Sequence, residues 1–148
     1  MNFSKKSRYG ITALIDLALC ADGQCVQLSS IAERNNISVK YLEQIFSSLR
    51  KAGLIKSVKG PQGGYLLGKR PEQINMAMVV EALDGSYLLE DEVHTGNEDE
   101  RGISTAIQRR LIDKINCQTE QLLKDLTLKS LVDSSLEYSN LNQEMYYI

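Results

Sequence analysis

The sequence predicts a mainly α-helical chain that carries one small β-hairpin and ends in a long helix. Three observations carry that prediction. Apolar residues recur at helical spacing through most of the chain. A Gly60-Pro61-Gln62-Gly63-Gly64-Tyr65 turn is flanked by short strand-like runs, and after Gly102 an apolar stripe continues at four-residue steps.

The first helix is expected over residues 7–21, with Ile11, Leu14, Ile15 and Ala18 on one face. Leu28 to Ser38 reads as a second helix, a tight turn and the start of a third. Ser30 and Glu33 have capping-box spacing, and Asn35-Asn36 tolerates the left-handed backbone of a short connection. Ser38 is placed to cap the third helix while Ile37 staples onto Leu42. Leu42, Ile45, Phe46 and Leu49 form that helix's apolar stripe, which leaves Lys40, Glu43, Gln44, Ser47 and Lys51 on the other side. Leu54 to Lys59 then alternates like a strand, and Tyr65-Leu66-Leu67 can pair back across a loop whose glycines permit positive φ and whose Pro61 fixes a turn. Lys59 falls at the tip, where a backbone could approach phosphate or the minor groove; taken alone, such a turn only reverses the chain. Three helices and a hairpin make a winged helix-turn-helix, whose second paired helix enters the major groove of duplex DNA.

Charge divides along the same line. Residues 1–70 hold 11 Lys or Arg and 4 acids, a balance of +7, whereas residues 71–148 hold 6 and 15, a balance of −9. The basic half suits a polyanion and the acidic half a partner, a sensor or a dimer. No apolar run approaches the ~20 residues of a membrane span, and the start lacks the apolar core of a secretion signal, so a cytoplasmic chain without a membrane partner is expected. Cys20, Cys25 and Cys117 form no paired motif; buried, inert thiols are the default, with a redox role at Cys25 as the alternative. One histidine, no nucleophile motif and no phosphate loop speak against an enzyme.

Past the hairpin, Asn75 opens a helix with Met76, Val79, Val80 and Leu83 on one face, ended by Asp84-Gly85. The expected organisation is a DNA-binding domain over 1–85, an acidic flexible loop over 86–101, and a dimerisation helix with a C-terminal tail over 102–148. The helix stripe is Ile103, Ile107, Leu111 and Ile115, extended by Ala106, Leu122 and Leu126. A helix this long would pack on its copy in a homodimer, which in turn would read a palindromic operator.

The first half also resembles the Rrf-two family of bacterial winged-helix transcription regulators. The resemblance lies in Lys6-Ser7-Arg8-Tyr9-Gly10, Ile31-Ala32-Glu33-Arg34, Ile37-Ser38, Tyr41-Leu42-Glu43-Gln44, Leu49-Arg50-Lys51-Ala52-Gly53-Leu54 and Gly60-Pro61-Gln62-Gly63-Gly64-Tyr65-Leu66-Leu67-Gly68. It continues more loosely through 79–85 and 127–132. It implies that Ser38, Tyr41, Glu43 and Gln44 read or approach bases while Lys5, Lys6, Arg8, Arg50 and Lys59 hold phosphates. Tyr9, Lys40, Gly60, Gln62, Gly63 and Gly64 complete the candidate DNA-binding set. Gln44 suits adenine and Glu43 the cytosine amino group; the alternative for each is a solvated helix face.

Cluster-binding members of the family carry three close cysteines before the long helix, but the span from Leu83 to Ser104 has none. Carboxylates and a lone His94 are poor substitutes for thiolates. His94 with Glu90, Glu92 or Glu98 could hold a harder ion, although a solvated acidic loop is the simpler reading, and no cofactor is expected. This departure points to the family's cluster-free, cysteine-metabolism repressor type. Such regulators end similarly to Tyr146-Tyr147-Ile148, whose terminal carboxylate resembles the ligand that cysteine synthase accepts from its partner enzyme. The alternative is a tail packed on the dimer helix. An iron–sulfur or redox-responsive regulator of the same family, and a winged helix that binds protein, stay open as alternative functions.

Overall fold

A computed structural model describes residues 3–20, 23–93 and 101–146. Helices α1 (Lys5–Cys20), α2 (Leu28–Asn35) and α3 (Val39–Lys51) precede a hairpin of β1 (Ile55–Val58) and β2 (Gly64–Leu67). A 3-10 turn (Pro71–Gln73) leads into α4 (Met76–Asp84). The second half contains α5 (Ile103–Ile107), a π turn (Gln108–Ile112), α6 (Asp113–Asp125) and α7 (Leu128–Tyr146). The hairpin is antiparallel with Ile55 opposite Leu67 and Val58 opposite Gly64. No described helix is long and apolar enough to cross a membrane.

Three local predictions hold in detail. Ser38 has extended backbone and its Oγ accepts from the Tyr41 N–H at 3.1 Å, satisfying one of the donors that every helix start leaves unpaired. Asn36 takes the left-handed conformation, φ 53°, and lets α2 turn into α3 within three residues. Asn75 caps α4 by accepting from the Met78 N–H, and Gly85 at φ 78° ends it.

One core joins these elements. Leu14 and Leu17 of α1, Ile31 of α2, and Leu42, Ile45, Phe46 and Leu49 of α3 are fully buried, together with Leu54, Ile55 of β1, Ile74 and Val79 of α4. Gly10 lets α1 and α4 approach closely, since a Cβ there would lie 2.3 Å from Leu83 Cδ1.

Four expectations need correction. The Ser30–Glu33 capping box does not form, because α2 starts earlier: the Gln27 carbonyl accepts from the Ser30 and Ile31 N–H groups. The chain must turn there, since Val26 pairs with Tyr65 through bonds of 3.0 and 2.8 Å as a one-residue antiparallel bridge beside the hairpin.

The single long helix is also interrupted twice. Apolar residues four apart drift by about 40° per step on an α-helix of 3.6 residues per turn, and the π turn, which holds more residues, takes up that drift. At Leu126 the backbone becomes extended, and residues 74–76 pair with 126–128: the Met76 N–H donates to the Leu126 carbonyl at 2.9 Å and the Leu128 N–H to Ile74 at 2.7 Å. This bridge buries Leu128 completely in the core, with Leu123, Leu126, Leu131 and Val132 packed against it.

The cysteines are not buried. Cys20 and Cys117 are exposed and Cys25 half-buried, Cys20 because it closes α1 on the solvent side, where its thiol contacts Asp16.

The segment after α4 is tied down where it is described, rather than loose throughout as its acidic composition suggested. Asn116 of α6 bonds both backbone groups of Leu89, at 2.7 and 3.0 Å, and Gln108 accepts from the Glu92 N–H at 2.6 Å while donating to Asp91 and Asp113. His94 and Glu98 lie outside the described residues, as do Tyr147 and Ile148.

Candidate nucleic-acid interface

The cap at Ser38 fixes where α3 begins, and the apolar stripe fixes its rotation. With Leu42, Ile45, Phe46 and Leu49 inward, Lys40, Glu43 and Gln44 are exposed and Ser47 and Ser48 half-exposed. The cap uses a lone pair of Ser38 Oγ and leaves its O–H able to donate outward.

The first turn of α1 lies beside this face. Lys6 Nζ donates to Ser48 Oγ at 3.4 Å, and Lys6, Lys40, Glu43, Gln44, Ser47 and Ser48 line one open groove of about 460 Å³. Tyr9 and Tyr41 meet edge to face, with ring centroids 5.8 Å apart. Lys5 and Arg8 are exposed on the same turn, and the Arg8 guanidinium stands 5.3 Å from the centroid of Phe3. Two cations thus frame a pair of groups able to accept or donate in a base plane, an arrangement that can grip phosphate at its edges and read a groove at its centre.

The wing is fixed to α3 from below by Phe46 and Tyr65, whose rings cross at 79° with centroids 4.9 Å apart. Arg50, at the far end of α3, donates to Ser57 Oγ of β1 at 3.4 Å. Lys59, Gly60 and Gln62 are exposed at the tip, where the Gly63 N–H closes the turn on the Gly60 carbonyl at 2.9 Å. Two glycines are explained by the protein itself: a Cβ on Gly63 would lie 2.2 Å from the Val58 carbonyl oxygen, and one on Gly64 2.5 Å from that of Val26.

Sequence reasoning missed what holds the first turn of α1. Ser4 caps it, its Oγ accepting from the Ser7 N–H at 3.3 Å, and both Ser4 and Ser7 bond Asp84 at the end of α4. No local signal announces a partnership across 80 residues. Burial pushes the Asp84 carboxyl up, but the hydrogen bonds from Ser4 and Ser7 outweigh it, with the Lys6 charge adding to them, and hold it below its ordinary value. A second carboxylate joins α1 to α2: Asp16 accepts from Arg34 at 2.6 and 3.0 Å and from Asn35 at 2.9 Å. Here too burial is outweighed and the pKa is lowered.

A capped, half-polar helix beside a basic helix start and a short wing defines the winged helix-turn-helix class of DNA-binding transcription regulators. The comparisons are specific within that class. Residues 3–134 match the family model described as Rrf2, iron-dependent transcriptional regulator. The chain is 39% identical over 137 residues to a helix-turn-helix-type transcriptional regulator of Haemophilus influenzae, covering 90% of this chain and 87% of that one. It is 40% identical over 134 residues to the regulator IscR of Pectobacterium atrosepticum, covering 90% and 80%. Its fold is similar to that of CymR (YrzC), the global cysteine regulator of B. subtilis, with a TM-score of 0.73 and 36% identity over 90% of this chain and 98% of that one. The chain belongs to the Rrf2 family of transcription regulators.

An iron–sulfur cluster does not fit the donors this chain offers. Such clusters bind thiolates, and no cysteine lies between Leu83 and Ser104. Among the described residues no three His, Cys, Asp or Glu side chains group to hold a metal ion. Cys20, Cys25 and Cys117 belong to the end of α1, the loop after it and α6.

Proposed function

We propose that the chain is a sequence-specific repressor that binds a palindromic operator as a homodimer and controls genes of cysteine or sulfur metabolism. The groove in which Lys6 and Lys40 flank Glu43 and Gln44 carries the reading. Gln44 pairs with adenine, Glu43 accepts from cytosine, and Lys5, Lys6, Arg8, Arg50 and Lys59 neutralise phosphates on either side. Support for the pathway is the likeness to the cysteine regulator together with the cysteine-free span before α5. Support for the dimer is the apolar surface that the single chain leaves open: Ile103, Ile107 and Leu111 are 47, 36 and 54% exposed, with Ile115 half-covered beside them. Tyr146, 90% exposed at the end of α7, precedes the Tyr147–Ile148 tail that we assign to cysteine synthase.

A second reading, an iron–sulfur or redox-responsive regulator, is favoured by the relatives named IscR and opposed by the missing thiolates. One experiment separates the two. Genomic fragments retained by the pure, metal-free protein should be palindromic and lie beside sulfur-assimilation genes; fragments beside iron–sulfur assembly genes would select the second reading. Gln44→Ala should weaken preference at one base step by about 1–3 kcal/mol while leaving random duplex unchanged. Equal losses on specific and random duplex would remove Gln44 from base reading.

A further inference from the structure

We propose that Asp84, an acidic residue set behind the basic face, is a positioning residue for DNA binding: it holds the first turn of α1 in the place from which Lys5, Lys6 and Arg8 meet phosphate. The inference rests on the DNA-binding reading above and deepens it.

The carboxylate takes three donors from one turn. Oδ2 accepts the Ser4 N–H at 3.0 Å and the Ser7 O–H at 2.6 Å, and Oδ1 accepts the Ser4 O–H. Ser4 Oγ in turn accepts the Ser7 N–H, so the capping residue is itself oriented by Asp84. Ser7 is fully buried, and Asp84 ends a helix whose Val79, Val80 and Leu83 are anchored in the core. The first turn of α1 is therefore fastened to a rigid element on its inner side, while Lys5 and Arg8 are exposed on its outer side and Lys6 reaches Ser48 across the groove. A helix end without such a fastening frays within its first turn, and the three cations of that turn would then spend part of their time away from the duplex.

Charge alone and positioning give opposite expectations. Removing one negative charge from the 1–85 DNA-binding domain should tighten binding to a polyanion; removing a positioning group should weaken it. The test measures duplex affinity across salt concentrations for the full-length wild type, Asp84→Ala, Asp84→Asn, Ser7→Ala and, as a charge control on the exposed side of α4, Glu81→Gln. With a slope of about 0.9 per phosphate, letting go of one phosphate at about 0.15 M salt weakens binding about fivefold. Asp84→Ala should show at least that weakening on specific and random duplex alike, with a shallower salt slope. Ser7→Ala, which leaves the charge unaltered, should move the same way by less, and Glu81→Gln should bind as wild type or slightly tighter. A merely stabilising role would lower the melting temperature of Asp84→Ala and leave the salt slope of the folded protein intact.

Wild-type affinity and slope in folded Asp84→Asn and Ser7→Ala would overturn the inference, even if Asp84→Ala did not fold. A wild-type protein with no salt-dependent duplex binding would overturn the DNA reading itself and the inference with it.

Discussion

Replacing Gly64 by alanine would test how the wing is joined to the rest of the domain. Gly64 is the first residue of β2, at φ 157°, and a Cβ added to it would lie 2.5 Å from the Val26 carbonyl oxygen, 2.8 Å from the Val26 carbonyl carbon and 3.2 Å from the Gln27 nitrogen. All three are backbone atoms, so no side chain can rotate away. Relief requires the strands to part, which breaks the two hydrogen bonds between Val26 and Tyr65. At a net ~0.5–1.5 kcal/mol each, the loss is about 1–3 kcal/mol, and Tyr65 is drawn away from Phe46 as well. Gly53 is the control. It has φ 76° and open space around it, so Gly53→Ala suffers backbone strain alone, about 1 kcal/mol. Urea denaturation of both variants gives the two numbers, and the Tyr65 amide exchange rate reports whether the bridge has opened. A Gly64→Ala protein within about 0.5 kcal/mol of wild type, with Tyr65 still protected, would refute the reasoning.

Three further outcomes follow from the same geometry. Leu128→Ala should cost about 2–5 kcal/mol in chemical denaturation, because a fully buried leucine between α7 and the core leaves a cavity; a loss under about 1 kcal/mol would mean that the 126–128 bridge is not a firm attachment. Asp84 and Asp16 both sit below the ordinary carboxylate pKa, so the folded chain binds fewer protons than the unfolded one between the two pKa values. Their contribution is complete above about pH 4 to 5 and disappears as pH falls through the lowered values; Asp84→Asn should flatten the acid limb of a stability–pH curve, and an unchanged limb would deny the carboxylate that part. Leu111→Glu should leave single-chain stability within about 0.5 kcal/mol, since Leu111 is exposed there, and turn the proposed homodimer into monomer in sedimentation; a variant that still sediments as a dimer would place the interface elsewhere.

What could be read in the sequence was what is local. The Ser38 cap, the left-handed Asn36, the Asn75 cap and the four inward residues of α3 each follow from neighbours within one helical turn, and each is present. The hairpin followed from its turn residues. What could not be read depends on pairs far apart in the chain. Val26 carries no strand pattern and forms its bridge only because Tyr65 offers it both backbone groups. Leu126 looked like one more member of a helical stripe, and its extended backbone is set by residues 74–76. Asp84 looked like a helix stop and is also the partner of Ser4 and Ser7. Of the candidate site, the face of α3 and the wing tip were legible because amphipathic period and turn chemistry place them. The fastening behind the basic residues was not, because hydrogen bonds across 80 residues leave no periodic trace.

The pairing of residues 74–76 with 126–128 closes a long loop of chain at its base, and α4 lies inside that loop, with Val79 and Leu83 in the core and Asp84 bonded to the start of α1. Only the stretch beyond Asp84 leaves that core, and Leu126 and Leu128 return it beside Ile74 and Met76. Lengthening the connection between α4 and α5 costs about 0.6 kcal/mol of loop entropy for each doubling of a flexible loop. A chain built this way can exchange the segment that follows α4 for another while the clasp keeps its point of return in place.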